Sequence, residues 1–147
     1  MICYHHRQWA NPLIFILGLG MIFCLTLALQ NIEIILSISI ALILLITGII
    51  FSQLSIEVTD QELRWKFGLG LIQHRVKLSE IETVEITRTR LIQGWGIHLT
   101  DRGWLYNVDR LQAVAIKLKN HQQFLLGTDE PQQLVSAIEM QLNPSYN

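Results

Sequence analysis

Charge is almost missing between Pro12 and Ser52, where Glu33 is the only Asp, Glu, Lys or Arg. Cysteine is scarce: the 147 residues hold two, Cys3 and Cys24. Cys24 falls inside an apolar run and Cys3 near the N-terminus, so no disulfide framework is indicated. Net charge is also nearly absent, at −1 by formal count. All eleven Lys and Arg except Arg7, and all twelve acids except Glu33, lie beyond Gln53, which leaves that segment one acid in excess. Such a balance speaks against nucleic acid as a partner. No Gly-x-Ser-x-Gly, His-Glu-x-x-His, Walker-type loop or Cys-x-x-Cys occurs. The expectation is a protein that is not an enzyme and carries no cofactor. Internal repeats and low-complexity linkers are missing too.

What is present is hydrophobicity, unevenly spread. Half the residues are hydrophobic and the mean hydropathy is +0.35, but Leu13 to Leu29 and Ile34 to Phe51 carry most of the excess. Each run, as a helix, is long enough to cross a hydrocarbon core of about 30 Å. Backbone groups in lipid must satisfy one another, so each run is predicted to be a helix. The short link Gln30-Asn31-Ile32-Glu33 makes the two helices antiparallel neighbours. The first run exceeds the usual h-region of about 7–15 residues, lacks a small-x-small cleavage site and is followed at once by a second span, which argues against a cleaved signal peptide. Neither run holds an ionisable residue that would mark an ion pathway, so a transporter is not expected.

Orientation follows from the basic residues. The N-terminal segment has Arg7 with His5 and His6, the segment after the second run reaches Arg64 and Lys66, and the link has neither Lys nor Arg. Both termini are therefore expected on the cytoplasmic side of a plasma (inner) membrane, with the protein multi-pass. Tyr4 and Trp9 suit an interfacial belt. Three segments result: a cytoplasmic tail (1–11), a transmembrane hairpin (12–52) and a cytoplasmic domain (53–147). Small residues recur at spacings of four, at Gly20, Cys24 and Ala28 in the first run and, in the second, at Ser37 and Ala41 and then at Gly48 and Ser52. Such stripes let helices approach closely, either within the hairpin or against another membrane protein or a second copy.

Beyond Ser52 the periodicity becomes alternating. Ile56 and Val58, then Leu63, Trp65 and Phe67, then Ile72, His74, Val76 and Leu78 mark strands, with Gly68-Leu69-Gly70 a turn between the last two. Further strands are predicted from Val84 toward Arg90, over Gly94–Leu99, Trp104–Val108, Val114–Leu118 and Phe124–Gly127. A helix follows, with Asp129-Glu130-Pro131 a favourable start; Thr128 and Asp129 are both candidate N-caps. Leu134, Val135, Ile138 and Leu142 form its apolar stripe.

The runs Gly94-Trp95-Gly96-Ile97, Trp104-Leu105-Tyr106-Asn107-Val108, Ala113 to Asn120 and Leu126-Gly127-Thr128-Asp129-Glu130-Pro131 resemble the bacterial PH-like (bPH) domain membrane proteins. In those, a two-helix hairpin precedes one PH-like domain. The resemblance implies a mainly-β (α+β) barrel of about seven strands with a C-terminal amphipathic helix, and it implies no established activity. His98 stands where relatives often have a basic residue, and His121 where a turn glycine is common.

Candidate sites follow from parity. Arg64 and Lys66 on one strand and Arg75 and Lys77 on the next share an outward face that could meet anionic headgroups or a partner, balanced by Glu57, Glu62 and Glu80. Arg88 and Arg90 share the parity of Val84 and Ile86. Trp65, Trp95, Trp104 and Phe124 line either a groove or the core, the core being the usual place for large aromatics. Cys3, His5 and His6 are soft ligands on one short segment with no matching second half, so no metal site is expected. His74 is expected to be a partly buried histidine. The function expected is a membrane-anchored module that binds another protein, either membrane-bound or cytoplasmic, through a strand edge or helix-flanked groove. The alternatives are headgroup binding and service as an accessory subunit through the Gly20, Cys24 and Ala28 face.

Overall fold

A computed structural model describes residues 2–89, 96–109 and 112–142. Strand β1 (Ile2–Trp9) leads directly into α1 (Asn11–Leu29); α2 (Ile34–Phe51) returns and runs into β2 (Gln53–Thr59). Then come β3 (Glu62–Phe67), β4 (Ile72–Lys77), a 3-10 turn (Leu78–Glu80), β5 (Ile81–Arg88), β6 (Gly96–Thr100), β7 (Gly103–Asn107), β8 (Gln112–Leu118), β9 (Gln123–Gly127) and α3 (Pro131–Leu142).

The α1–α2 pair meets the β-domain's core only at its base, through Leu13 and Phe51. Its outer surface is apolar, with Phe15 67% and Ile35 84% exposed. Its hydroxyls are spent inside the helices: Thr26 donates to the Phe23 carbonyl, Ser39 to Ile35 and Thr47 to Ile43, at 2.7–2.8 Å. Both helices are long and apolar enough to cross a membrane. Their contact runs through small side chains. Cys24, Ser37 and Ala41 are buried, Ala28 is partly buried, a Cβ on Gly20 would lie 3.2 Å from Leu44 Cδ1, and one on Gly48 would lie 3.7 Å from Leu17 Cδ1. The face carrying Gly20 and Cys24 is thus turned toward α2.

The first sheet has the order β1-β2-β3-β4, antiparallel throughout. Residues 1–11, expected as a tail, supply its first strand: Tyr4 to Trp9 pair with Val58 to Gln53. The tail reading fails because β1 has little alternation of its own and needs a partner on the far side of the helical hairpin. The second sheet has the order β5-β8-β9-β7-β6, with β7 and β9 parallel and its other pairs antiparallel. Alternation explains the faces: Leu54, Ile56, Val58, Leu63, Trp65 and Phe67 point inward against Val114, Ile116, Tyr106, Phe124 and Leu126. Helix α3 adds Leu134 and Ile138, both fully buried. Thr128 Oγ1 accepts the Glu130 N–H at 3.1 Å ahead of the helix, and the Glu130 carbonyl takes its first bond, from Leu134 N–H at 3.1 Å.

The expected barrel is corrected here: the two sheets do not close. Beside β4 the border is filled by rings instead of backbone hydrogen bonds. Trp65 stacks on Phe124 at 4.8 Å and on His74 at 5.5 Å, and Tyr106 lies 5.0 Å from His74. Side chains of that bulk cannot sit between strands held about 4.8 Å apart.

Candidate docking and anion-binding surfaces

Two concavities meet at β4. The first lies on the outer face of the first sheet, has a volume of about 620 Å³ and is lined in part by Ser55, Glu57, Arg64, Lys66, Gln73 and Arg75. Register assembles it in rows. Arg7, Ser55, Lys66 and Gln73 stand side by side across the four strands; His5, Glu57, Arg64 and Arg75 form the next row. Lys77 sits opposite Glu62 one row further on. All four basic residues expected to share a face are on it and exposed. Glu62 pairs with Arg64 and holds its guanidinium still more firmly cationic. Arg7, Lys66, Arg75 and Lys77 have no ion pair among the described residues. Five cations thus face two carboxylates, Glu57 and Glu62. Glu80, expected to balance them, lies on the 3-10 turn. Beneath them Ser55 is 3% exposed, and its Oγ has no hydrogen-bond partner among the described residues.

One end of this face abuts the helices. Gly68 has φ +47°, and a Cβ there would lie 2.4 Å from both the Ile49 and Ile50 carbonyl oxygens at the end of α2. Gly68 N–H donates to Gln53 O at 2.8 Å, and Gln53 Nε2 donates back to Gly68 O at 3.0 Å. The turn so fixed exposes Leu69 (79%) and Leu71 (74%) beside the helix end, with Trp9 53% exposed where β1 enters α1.

The second concavity is the open seam, about 420 Å³, between β4 and strands β7 and β9. Trp65, Tyr106 and Phe124 form its floor and are nearly buried, while Trp104 is half exposed on its rim. His74 points to the seam and is exposed, not partly buried, because the missing closure leaves its inward side open. The outer backbone edge of β4 has no strand partner among the described residues.

The remaining candidates scatter. Alternation along β1 puts Cys3 and His5 on the exposed side and His6 on the other, and the described residues hold no cluster of three metal-ligating side chains. His6 instead contacts Asp129 Oδ1 at 2.6 Å and Glu130 Oε2 at 3.2 Å, while Tyr4 donates to Glu130 Oε2 at 3.3 Å. Burial, reinforced by Glu130, pushes the Tyr4 hydroxyl well above the ordinary phenol range. Arg88 is on β5, in the other sheet; Arg90, Gly94 and Trp95 lie outside the described residues. Sequence reasoning did not single out Ser55, Gln73, Leu69 and Leu71. The outward parity of Ser55 and Gln73, and two leucines flanking a turn glycine, were the available signals. Comparison with protein-family models, with curated proteins and with solved structures finds no match.

Proposed function

We propose that this chain is a non-enzymatic, membrane-anchored PH-like module that receives an extended segment of another protein along β4. The observation that carries the reading is a strand edge, unpaired among the described residues, running beside a groove floored by Trp65, Tyr106 and Phe124. An added strand gains main-chain hydrogen bonds at such an edge, and alternate side chains enter the adjoining pocket. The PH-like reading is supported by the layout alone: a helical pair, mainly-β sheets and a C-terminal helix, with nine described strands where the resemblance implies about seven.

In this reading α1 and α2 cross the inner membrane of a bacterium, with both termini cytoplasmic. Their exposed apolar surfaces and internally bonded hydroxyls suit lipid. The basic residues near the helix bases, against none in the connecting turn, favour that orientation.

Photo-crosslinking in native membranes tests the docking reading, with probes at Gln123 and Lys77. Both positions are expected to capture the same protein, and Trp104→Ala, at a half-exposed rim position, is expected to abolish capture without unfolding the domain. Capture unchanged by Trp104→Ala, or lipid adducts alone at both positions, would overturn it.

A further inference from the structure

The outer face of the first sheet has a different chemistry from the seam and is not used by the docking reading. Arg64 and Arg75 are direct cross-strand neighbours. Like charges so placed oppose one another. Glu62 pairs with Arg64 and Glu57 stands opposite it, whereas Arg75 has no ion pair among the described residues. Beside them, Arg7, Ser55, Lys66 and Gln73 form a row of hydrogen-bond donors. The Ser55 hydroxyl is buried within it and unpartnered among the described residues. Ser55, Arg64, Lys66, Gln73 and Arg75 line a concavity of about 620 Å³ as donors, with Glu57 the one carboxylate among the lining side chains. Three cations and two neutral donors against one carboxylate fit a phosphate oxyanion, which accepts several charge-assisted hydrogen bonds at once.

Position decides where that phosphate comes from. The face begins at the Gly68 turn, which packs on the last turn of α2. Leu69, Leu71 and Trp9 are exposed at this end. Lys66 lies two residues up the strand from Gly68, about 7 Å, and Arg7 lies two residues before Trp9. The headgroup layer is about 5–7 Å deep on each side of the hydrocarbon core. With the rim at the edge of the hydrocarbon, Arg7 and Lys66 stand at headgroup depth, and Arg64 and Arg75 overhang it.

We infer that the Ser55–Lys66–Arg64–Arg75 face binds the phosphate of an anionic phospholipid in the leaflet that surrounds the helices, with Leu69, Leu71 and Trp9 seated in the same leaflet. The inference rests on the helices spanning the bilayer and is independent of docking at the seam.

The test uses the full chain reconstituted in phosphatidylcholine vesicles carrying a trace of photoactivatable phosphatidylglycerol or, separately, photoactivatable phosphatidylcholine. The anionic probe is expected to label residues 64–77 about tenfold more than the neutral one. Ser55→Ala, which changes no charge, is expected to cut that preference about fivefold. Lys66→Gln with Arg75→Gln is expected to remove it. Equal labelling by the two lipids overturns the inference. So does a preference unaffected by Ser55→Ala, which would reflect diffuse charge. Loss of labelling to inorganic phosphate, against chloride at equal ionic strength, would assign the site to a soluble phosphate and overturn the lipid source. Labelling of α1 and α2 by the neutral probe reports insertion separately; its absence removes the premise, whereas failure at the seam leaves the lipid result standing.

Discussion

The Ala10 amide donates to the Ser52 carbonyl at 2.8 Å, joining the residue before α1 to the residue after α2. This bond continues the β1–β2 ladder to the base of the helical hairpin, so the two helices grow out of a pair of hydrogen-bonded strands. Movement of the hairpin is thereby coupled to the sheet that carries the basic face and the β4 edge.

Gly68 is the second tie between hairpin and sheet. Any side chain there meets two backbone carbonyls that cannot turn away, at a φ that already disfavours L-residues by about 1–2 kcal/mol. Gly68→Ala is expected to destabilise the protein by more than about 2 kcal/mol and to detach the β3–β4 turn from α2. Thermal unfolding in detergent reads the loss; an unchanged midpoint would count against this packing.

Strand β1 is clamped to the segment just ahead of α3, where His6 and Tyr4 meet Asp129 and Glu130. His6→Ala is expected to weaken the docking of β1 by about 1 kcal/mol. Hydrogen exchange should speed up across β1 while β2 and β3 keep their protection. Equal acceleration in all three strands would mean that β1 is not a separable element.

Alkaline pH acts on the same clamp. Burial raises the Tyr4 hydroxyl above its ordinary value, with Glu130 adding to the effect, and burial also raises Tyr106. In the unfolded chain both ionise near pH 10, while the folded chain still holds the protons. The native state therefore binds more protons above that pH, and stability falls as pH rises. The contribution is fully present below about pH 10 and is lost through the folded values. Denaturant midpoints across pH 8–11.5 should be level at first and then decline about where free tyrosine ionises; Tyr4→Phe should flatten the decline.

His121 holds φ +67° in the turn between β8 and β9, the conformation glycine adopts at no steric cost. It is exposed, so nothing in the core depends on the ring. His121→Gly is expected to raise stability by up to about 1 kcal/mol, measurable as a higher denaturation midpoint; a lower midpoint would show that the imidazole contributes more than its backbone costs.

Cys3 is exposed and Cys24 is buried between the helices, so a membrane-impermeant maleimide reports orientation. Inside-out vesicles should label Cys3 and sealed right-side-out vesicles should not, with Cys24 silent in both. The reverse pattern at Cys3 would place β1 and the β-domain on the outer side.

The paired apolar helices, the alternating strands and the amphipathic α3 were legible in the sequence because their signals are local. A helix closes its hydrogen bonds within four residues, and a strand shows its buried side every second one. The common face of Arg64, Lys66, Arg75 and Lys77 was legible for the same reason, since one tight turn sets the register of β3 and β4. The rest depended on distance. Nothing near Tyr4, His6 or Gln8 announces that they pair with a strand on the far side of the helical hairpin. The parallel β7–β9 pair and the rings that keep β4 from closing on the second sheet are relations between remote segments. Beyond Trp9 the residue sequence alone determined which segments are apolar, extended or helical. Only the tertiary structure decided that, among the described residues, Ser55 lies unpartnered beneath the basic side chains and β4 keeps a free edge, because register and sheet closure are settled by packing across the chain.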